Sequence, residues 1–199
     1  MTNTKATECV TPKFRMAFPA LLEPKKDQQE KLQFSMAMLF PKDTDISTLK
    51  AAAKAAAEAK WGPDSSKWPQ NLRLPFADGN TKGKPDGNGQ FKVYKGYENT
   101  VVVNAKKSGD KPAPTLVGPN PHVAITDPKE VYGGRWAKAF VSFYAYDKAG
   151  NRGVGVGITH VQLLDHDEQL GGVPNPEDIF SAENGEAAAP SAAAAFLKL

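Results

Sequence analysis

The chain has 199 residues, of which 40% are hydrophobic, 24% charged and 9% aromatic, with one cysteine. That length allows one large domain or two small ones, and the apolar fraction is enough for a core. A single cysteine excludes an intramolecular disulfide framework, and no run of about 18 apolar residues is present to span a membrane as a helix. The net charge of +3 is the sum of two unlike parts. Residues 1–160 hold 24 Lys and Arg against 15 Asp and Glu, a balance of +9, whereas residues 161–199 hold one Lys against seven acids, a balance of −6. This is the pattern of a basic body followed by an acidic tail.

Residues 1–11 are polar, lack the apolar stretch of a secretory signal and read as a flexible arm in which Cys9 is a bystander thiol. Residues 13–18 alternate with period two and read as a strand, followed by a charged loop over 23–27. Leu32, Phe34, Met36, Met38 and Phe40 form one face of a second strand, which Pro41 ends. Asp45 is a good N-cap, residues 50–60 are almost wholly Ala, Lys and Glu, and Gly62-Pro63 stops the run, so a helix is expected. Its stripe of Ile46, Leu49, Ala53, Ala56 and Ala57 is thin. Such a helix is expected on a sheet edge, outside the core.

Residues 78–90 are turn-formers throughout and read as a loop. A strand over 100–104, a loop over 106–112, a short strand over 115–117 and a turn over 118–121 follow. Residues 135–146 and 153–164, joined by a five-residue turn, read as a long β-hairpin. Beyond Gly171-Gly172, three prolines and eight alanines lie in an acidic stretch with no apolar period, expected to be disordered. The organisation expected is an arm over 1–11, a mainly β domain with one inserted helix and long basic loops over 12–172, and an acidic Ala/Pro-rich tail over 173–199.

The hairpin carries the chemistry. One face of its first strand holds Arg135, Ala137, Ala139, Val141, Phe143 and Ala145, and apart from Arg135 suits a core. The other holds Trp136, Lys138, Phe140, Ser142, Tyr144 and Tyr146. On the returning strand Val154, Val156 and Ile158 face the core, and Gly153, Gly155 and Gly157 face outward. Glycine in a strand marks close approach by a ligand or another chain. Exposed rings beside Lys and Arg suit single-stranded nucleic acid, because every base has a π-face and cations neutralise phosphates. The alternative is that the rings pack across the strands onto the glycines. Lys82, Lys84, Tyr94, Lys106 and Lys107 form basic loops with an interleaved aromatic, and Arg73 and Phe76 flank Leu74-Pro75 beside them. Arg152 in the hairpin turn completes the candidate DNA-binding set.

Other chemistries lack their residues. Gly153 to Gly157 alternate inside a strand and open no helix, so they make no dinucleotide fingerprint. His122, His160 and His166 have no ligand spacing with the lone cysteine. Asp165-His166-Asp167 reads as an exposed polar turn. No nucleophile motif is present. Neither a cofactor, nor a metal, nor enzymatic activity is expected.

The spaced segments Val131-Tyr-Gly-Gly-Arg-Trp136, Gly153-Val-Gly-Val-Gly157, Leu170-Gly-Gly172 and Pro176-Glu-Asp-Ile-Phe180 resemble a bacteriophage family of single-stranded DNA-binding proteins, long catalogued as a domain of unknown function. The resemblance implies a five-stranded OB-fold barrel that coats single-stranded DNA in phage replication or recombination, in the host cytoplasm. It implies that Arg135, Trp136, Lys138, Tyr144 and Tyr146 lie on or beside the DNA groove. Many single-stranded DNA-binding proteins end in an acidic tip with a terminal Phe. This chain ends Phe196-Leu-Lys-Leu199, and its acidic aromatic piece, Glu177, Asp178, Ile179 and Phe180, lies inside, as the candidate contact for replication or recombination partners. The tail is otherwise a candidate to occupy the basic groove and be displaced by DNA. A strand-annealing mediator and a phage structural or interaction module of β-barrel type are the alternatives, and homo-oligomerisation stays open.

Overall fold

The computed structural model describes residues 4–148 and 150–171. The strands are β1 (Glu8–Val10), β2 (Phe14–Lys26), β3 (Leu32–Pro41), β4 (Phe76–Asp78), β5 (Gly83–Pro85), β6 (Phe91–Val93), β7 (Thr100–Ser108), β8 (Thr115–Val117), β9 (Trp136–Lys148) and β10 (Asn151–Leu163). Among the described residues one α-helix, α1 (Ser47–Trp61), lies between β3 and β4. Five strands close a ring in the order β9-β2-β3-β7-β10, and β10 pairs back on β9. This is the five-stranded barrel expected of an OB fold. The tail over 173–199, with Glu177, Asp178, Ile179 and Phe180, lies outside the described residues.

Alternation builds the ring. Phe14, Met16, Met36, Met38, Phe40, Val103, Ala105, Ala137, Ala139, Val141, Phe143, Val154, Val156 and Ile158 all point inward and are buried in one cluster. Phe14 and Phe40 meet edge-on at 5.6 Å, a favoured geometry for aromatic pairs. The segment from Arg73 to Asp78 seals the place where β7 and β10 diverge. Arg73 bridges Gly153 of β10, and Phe76 pairs with Val103 of β7.

Several expectations are corrected. The arm is a strand from Glu8, paired antiparallel with β9, and Thr11 is buried, its hydroxyl accepting from the Ala139 N–H. Cys9 is half-buried there, and burial pushes its thiol pKa up. The charged loop over 23–27 is mostly strand, because β2 runs to Lys26. The helix belongs to the core, with Leu49, Ala52, Ala53, Ala56 and Ala57 buried in the main cluster. Alanine lets a helix lie close to a sheet, so small side chains bring α1 in. Asp45 sits one residue before the cap position and accepts from the Ser47 N–H. The loop expected over 78–90 contains β5, which pairs with β6 just beyond it as a two-stranded arm over 83–93. The hairpin turn is tighter than five residues, since Lys148 pairs with Asn151.

Phe14→Ala removes a wholly buried ring. It is expected to lower stability by about 3–5 kcal/mol, measured by denaturant unfolding.

Candidate nucleic-acid interface

Opposed residues in a ladder share a face, so the register traces a floor across the outside of the barrel. Ala20 opposes Ser35, Ser35 opposes Lys106, Lys106 pairs with Gly157, and Gly157 opposes Ser142. Side chains along this rung are small except Lys106, which is exposed. A polar groove of about 670 Å³ opens at its β2–β3 end, lined by Lys26, Asp27, Gln28, Gln29, Gln33 and Lys106. Lys26 is ion-paired with Glu30 at 2.6 Å.

At the β9 end stand Tyr144 and Tyr146, opposite Gly155 and Gly153. The glycines are covered, not bare. A β-carbon added at Gly155 would sit 2.5 Å from Tyr144 Cζ. The ring occupies that space, yet Tyr144 is 49% exposed. Burial of its hydroxyl region, followed by the neighbouring Tyr146, raises its pKa. The result is a ring backed by glycine on one side and open to solvent elsewhere. The cross-strand packing that a purely structural reading requires and the exposure that a binding reading requires are both present.

A second aromatic group lies on the outer face of β2, β3 and β7. Tyr94 and Tyr97 meet at 5.6 Å, and Phe18 approaches them at 5.8 and 6.1 Å. Tyr97 is buried on Ala17, Ala37, Leu39 and Val102, and that burial pushes its hydroxyl up to about 12. Tyr94 is half-buried. Beside it a pocket of about 290 Å³ is lined by Lys84, Lys92 and Lys95, with Asp86 as its acid.

The motif over residues 132–136 binds chain, not solvent. Residues 164–170 lie along it as a strap. The Trp136 N–H donates to Asp165 O at 3.1 Å, the Leu164 N–H to Trp136 O at 2.8 Å, and the Leu170 N–H to Gly133 O at 2.7 Å. Trp136 Nε1 donates to Asp167 Oδ2 at 2.8 Å, and Lys13 Nζ stands 4.9 Å from the Trp136 ring centroid. Lys13 pairs with Asp165 at 2.5 Å, Arg15 with Asp167 at 3.4 Å, and Lys95 with Glu168 at 2.5 Å. Gly134 has φ +115°, and a β-carbon there would stand 2.1 Å from Glu168 O, so only glycine admits the strap. Asp165-His166-Asp167 is exposed, as expected, but is docked through Asp165 and Asp167 and is not an isolated turn.

Each predicted residue has a definite place. Tyr144, Tyr146 and Arg73 gather at the β10 glycines, whereas Arg152, next to Gly153 in the strand, falls on the other side and pairs across the ladder with Asp147 at 2.9 Å. Lys138 and Phe140 continue the same outer face of β9, and the Phe140 ring lies 6.2 Å from His160. Lys106 is on the floor. Lys107 points to the other side of the sheet, opposite Phe34, because adjacent strand residues alternate. Both lie in β7, not in a loop. Lys82 and Lys84 are in the arm region with Tyr94. Phe76 packs on the main core. Arg135 is the clear departure. It is 3% exposed, ion-paired with Glu130, and donates to the carbonyls of Glu130 and Leu164. Its guanidinium holds the start of the strap and is not presented to the surface. Trp136 is half-buried under the strap, not an open ring. The signal for both was Glu130 and the acids of 165–168, whose partners sequence spacing does not reveal. Gln33, Ser35 and Phe18 were missed, since nothing local marks a small polar residue as floor or a strand Phe as exposed.

The family model of the single-stranded DNA-binding protein of Enterobacter phage Enc34 matches residues 7–189. The chain belongs to that family. Among solved structures, the single-stranded DNA-binding protein from bacteriophage Enc34 in complex with single-stranded DNA is 17% identical, with a TM-score of 0.64 over 84% of this chain and 91% of that one. The same phage protein without DNA in its description is 16% identical, with a TM-score of 0.65 over 87% and 89%. Gp2.5, a single-stranded DNA binding protein encoded by bacteriophage T7, is 14% identical, with a TM-score of 0.55 over 92% and 98%. At these identities the likeness is one of fold. No curated protein sequence matches the chain.

Two outcomes test the strap. Arg135→Ala is expected to lower stability by on the order of 3 kcal/mol, measured by denaturant unfolding, because it leaves Glu130 and two carbonyls without their partner. The Asp165 carboxyl is held below the usual aspartate range by Lys13, and that of Asp167 by the Glu168 N–H and then Trp136. Depressed values stabilise the fold at neutral pH and lose that contribution as pH falls through the folded-state pKa. In a chain with Trp61 and Trp68 replaced by Phe, Trp136 fluorescence is expected to change in that acid window, and Asp167→Asn to weaken the transition.

Proposed function

We propose that this protein coats single-stranded DNA without enzymatic action and largely without sequence preference, in phage DNA replication or recombination within the host cytoplasm. The observation that carries the reading is the open rung Ser35–Lys106–Gly157–Ser142, ending at the glycine-backed Tyr144 ring. Family membership supports it. Bases stack on Tyr144 and Tyr146, and phosphates meet Lys106, Arg73 and Lys138. The small rung residues let the strand's backbone approach the sheet. In OB folds the outer face of the second and third strands and the adjoining hairpin loops bind oligonucleotides. Here those strands are β3 and β7, and the loops are the β2–β3 and β9–β10 turns. Replication or recombination partners are assigned to Glu177, Asp178, Ile179 and Phe180 of the tail. Among the described residues no helix is long and apolar enough to cross a membrane.

Fluorescence titration with oligo-dT tests the function. Affinity is expected to fall as salt rises, because phosphate neutralisation releases counterions. Lys106→Ala should weaken binding and reduce the magnitude of the log–log salt slope by about 1. Tyr144→Ala should cost about 1–3 kcal/mol of binding. Absence of binding at low salt would overturn the reading.

A further inference from the structure

We propose that Phe18 is a base-stacking residue for single-stranded DNA, held out of the barrel by its own backbone. The proposal rests on the function proposed above and adds a contact at the far end of the same rung. Strict alternation from Phe14 and Met16 would bury Phe18. Instead it is 63% exposed. Its φ is +46°, in the left-handed region that costs a bulky residue stability. Pro19 follows, and the β2–β3 register breaks between Ala17 and Ala20.

An exposed apolar ring on a strained backbone works against stability twice, and strain of this kind gathers at functional sites. The ring is not loose. Tyr94 meets it edge-on at 5.8 Å and the buried Tyr97 at 6.1 Å, so its orientation is set from below and the rest faces solvent. Position fits the ligand. The break lies between the rungs Ala17–Ala37–Asn104 and Ala20–Ser35–Lys106, so Phe18 adjoins the open floor on β2. Tyr144 stands at the β9 end. Four interstrand steps of about 4.8 Å separate β2 from β9 through β3, β7 and β10, a path of about 19 Å along the curved sheet. Charge fits as well. The pocket beside Tyr94 presents Lys84 and Lys92 against Asp86, with its third lysine, Lys95, paired to Glu168. A small aromatic group whose Tyr94 lines a lysine pocket suits a nucleotide, its base on the exposed Phe18 ring and its phosphates toward the cations, better than an apolar protein surface, which needs a wider patch.

The test uses the full chain, oligo-dT titration and thermal unfolding. Phe18→Leu keeps an apolar side chain without a π-face, Phe18→Gly removes ring and strain together, and Phe18→Tyr restores a ring. Stacking predicts that the Leu and Gly variants bind about 5- to 140-fold more weakly, that the Tyr variant binds as the unaltered chain does, and that the Gly variant melts no lower. Leu or Gly variants that bind as tightly as the unaltered chain would overturn the role of Phe18 alone. So would weakened binding that tracks a fall of several degrees in Tm and is not restored by Tyr. Failure of the unaltered chain to bind oligo-dT would instead remove the function on which the proposal rests.

Discussion

The ladder between β9 and β10 is the constraint on which the rest depends. It pairs residues 137–148 with 151–163, and these two strands complete the ring through β2 on one side and β7 on the other. A slip of one residue would turn every inward valine outward. Two features hold the register. Val154, Val156 and Ile158 fill the core, and the tyrosine rings need a glycine opposite each of them. The third glycine of the strip, Gly157, faces Ser142 and carries no ring, so it leaves the outer face low beside Lys106. Closure, register and the shape of the outer surface thus share one set of residues.

The strap reapportions the charge. Counting Asp165, Asp167 and Glu168 with the folded residues, positions 4–171 hold 24 Lys and Arg against 18 Asp and Glu, a balance of +6. Three of the acids drawn in are matched to Lys13, Arg15 and Lys95. Arg135 and Arg152 are matched to Glu130 and Asp147. The cations outside these pairs are therefore fewer than composition implies, with Lys106 on the floor and Lys84 and Lys92 beside the aromatic group. A charge neutralised within the chain still adds to long-range potential only through the sum of the pair. The placement of the remaining lysines matters more than their number.

Much of the fold was legible. The strands over 13–18, 32–40 and 100–104, the helix and the long hairpin announce themselves by period and by punctuation at Pro41, Gly62-Pro63 and Gly150. The strand over 8–10 and the arm over 83–93 do not, because three-residue ladders depend on a distant partner for their hydrogen bonds. Within the interface, Tyr144 and Tyr146 were legible as outward positions of a strand, whereas Lys106 lies where a loop is expected, and only the β3–β7 ladder places it on the floor. Trp136 and Arg135 were legible as special and misjudged in role, since the segment that engages them lies about 30 residues on. Phe18 was hidden by the alternation that identified its strand.

By itself the sequence determined the alternating apolar faces, the glycine strip opposite the tyrosines, the Ala-rich helix and the division into basic and acidic stretches. These follow from local period and residue type. Only the tertiary structure decided which outward rings remain open, that the Gly-Gly-Arg-Trp motif receives a strap, and that Phe18 leaves the core. Each of these depends on a contact between segments far apart in the chain. A side chain's exposure is set by what folds over it, and local periodicity carries no record of that.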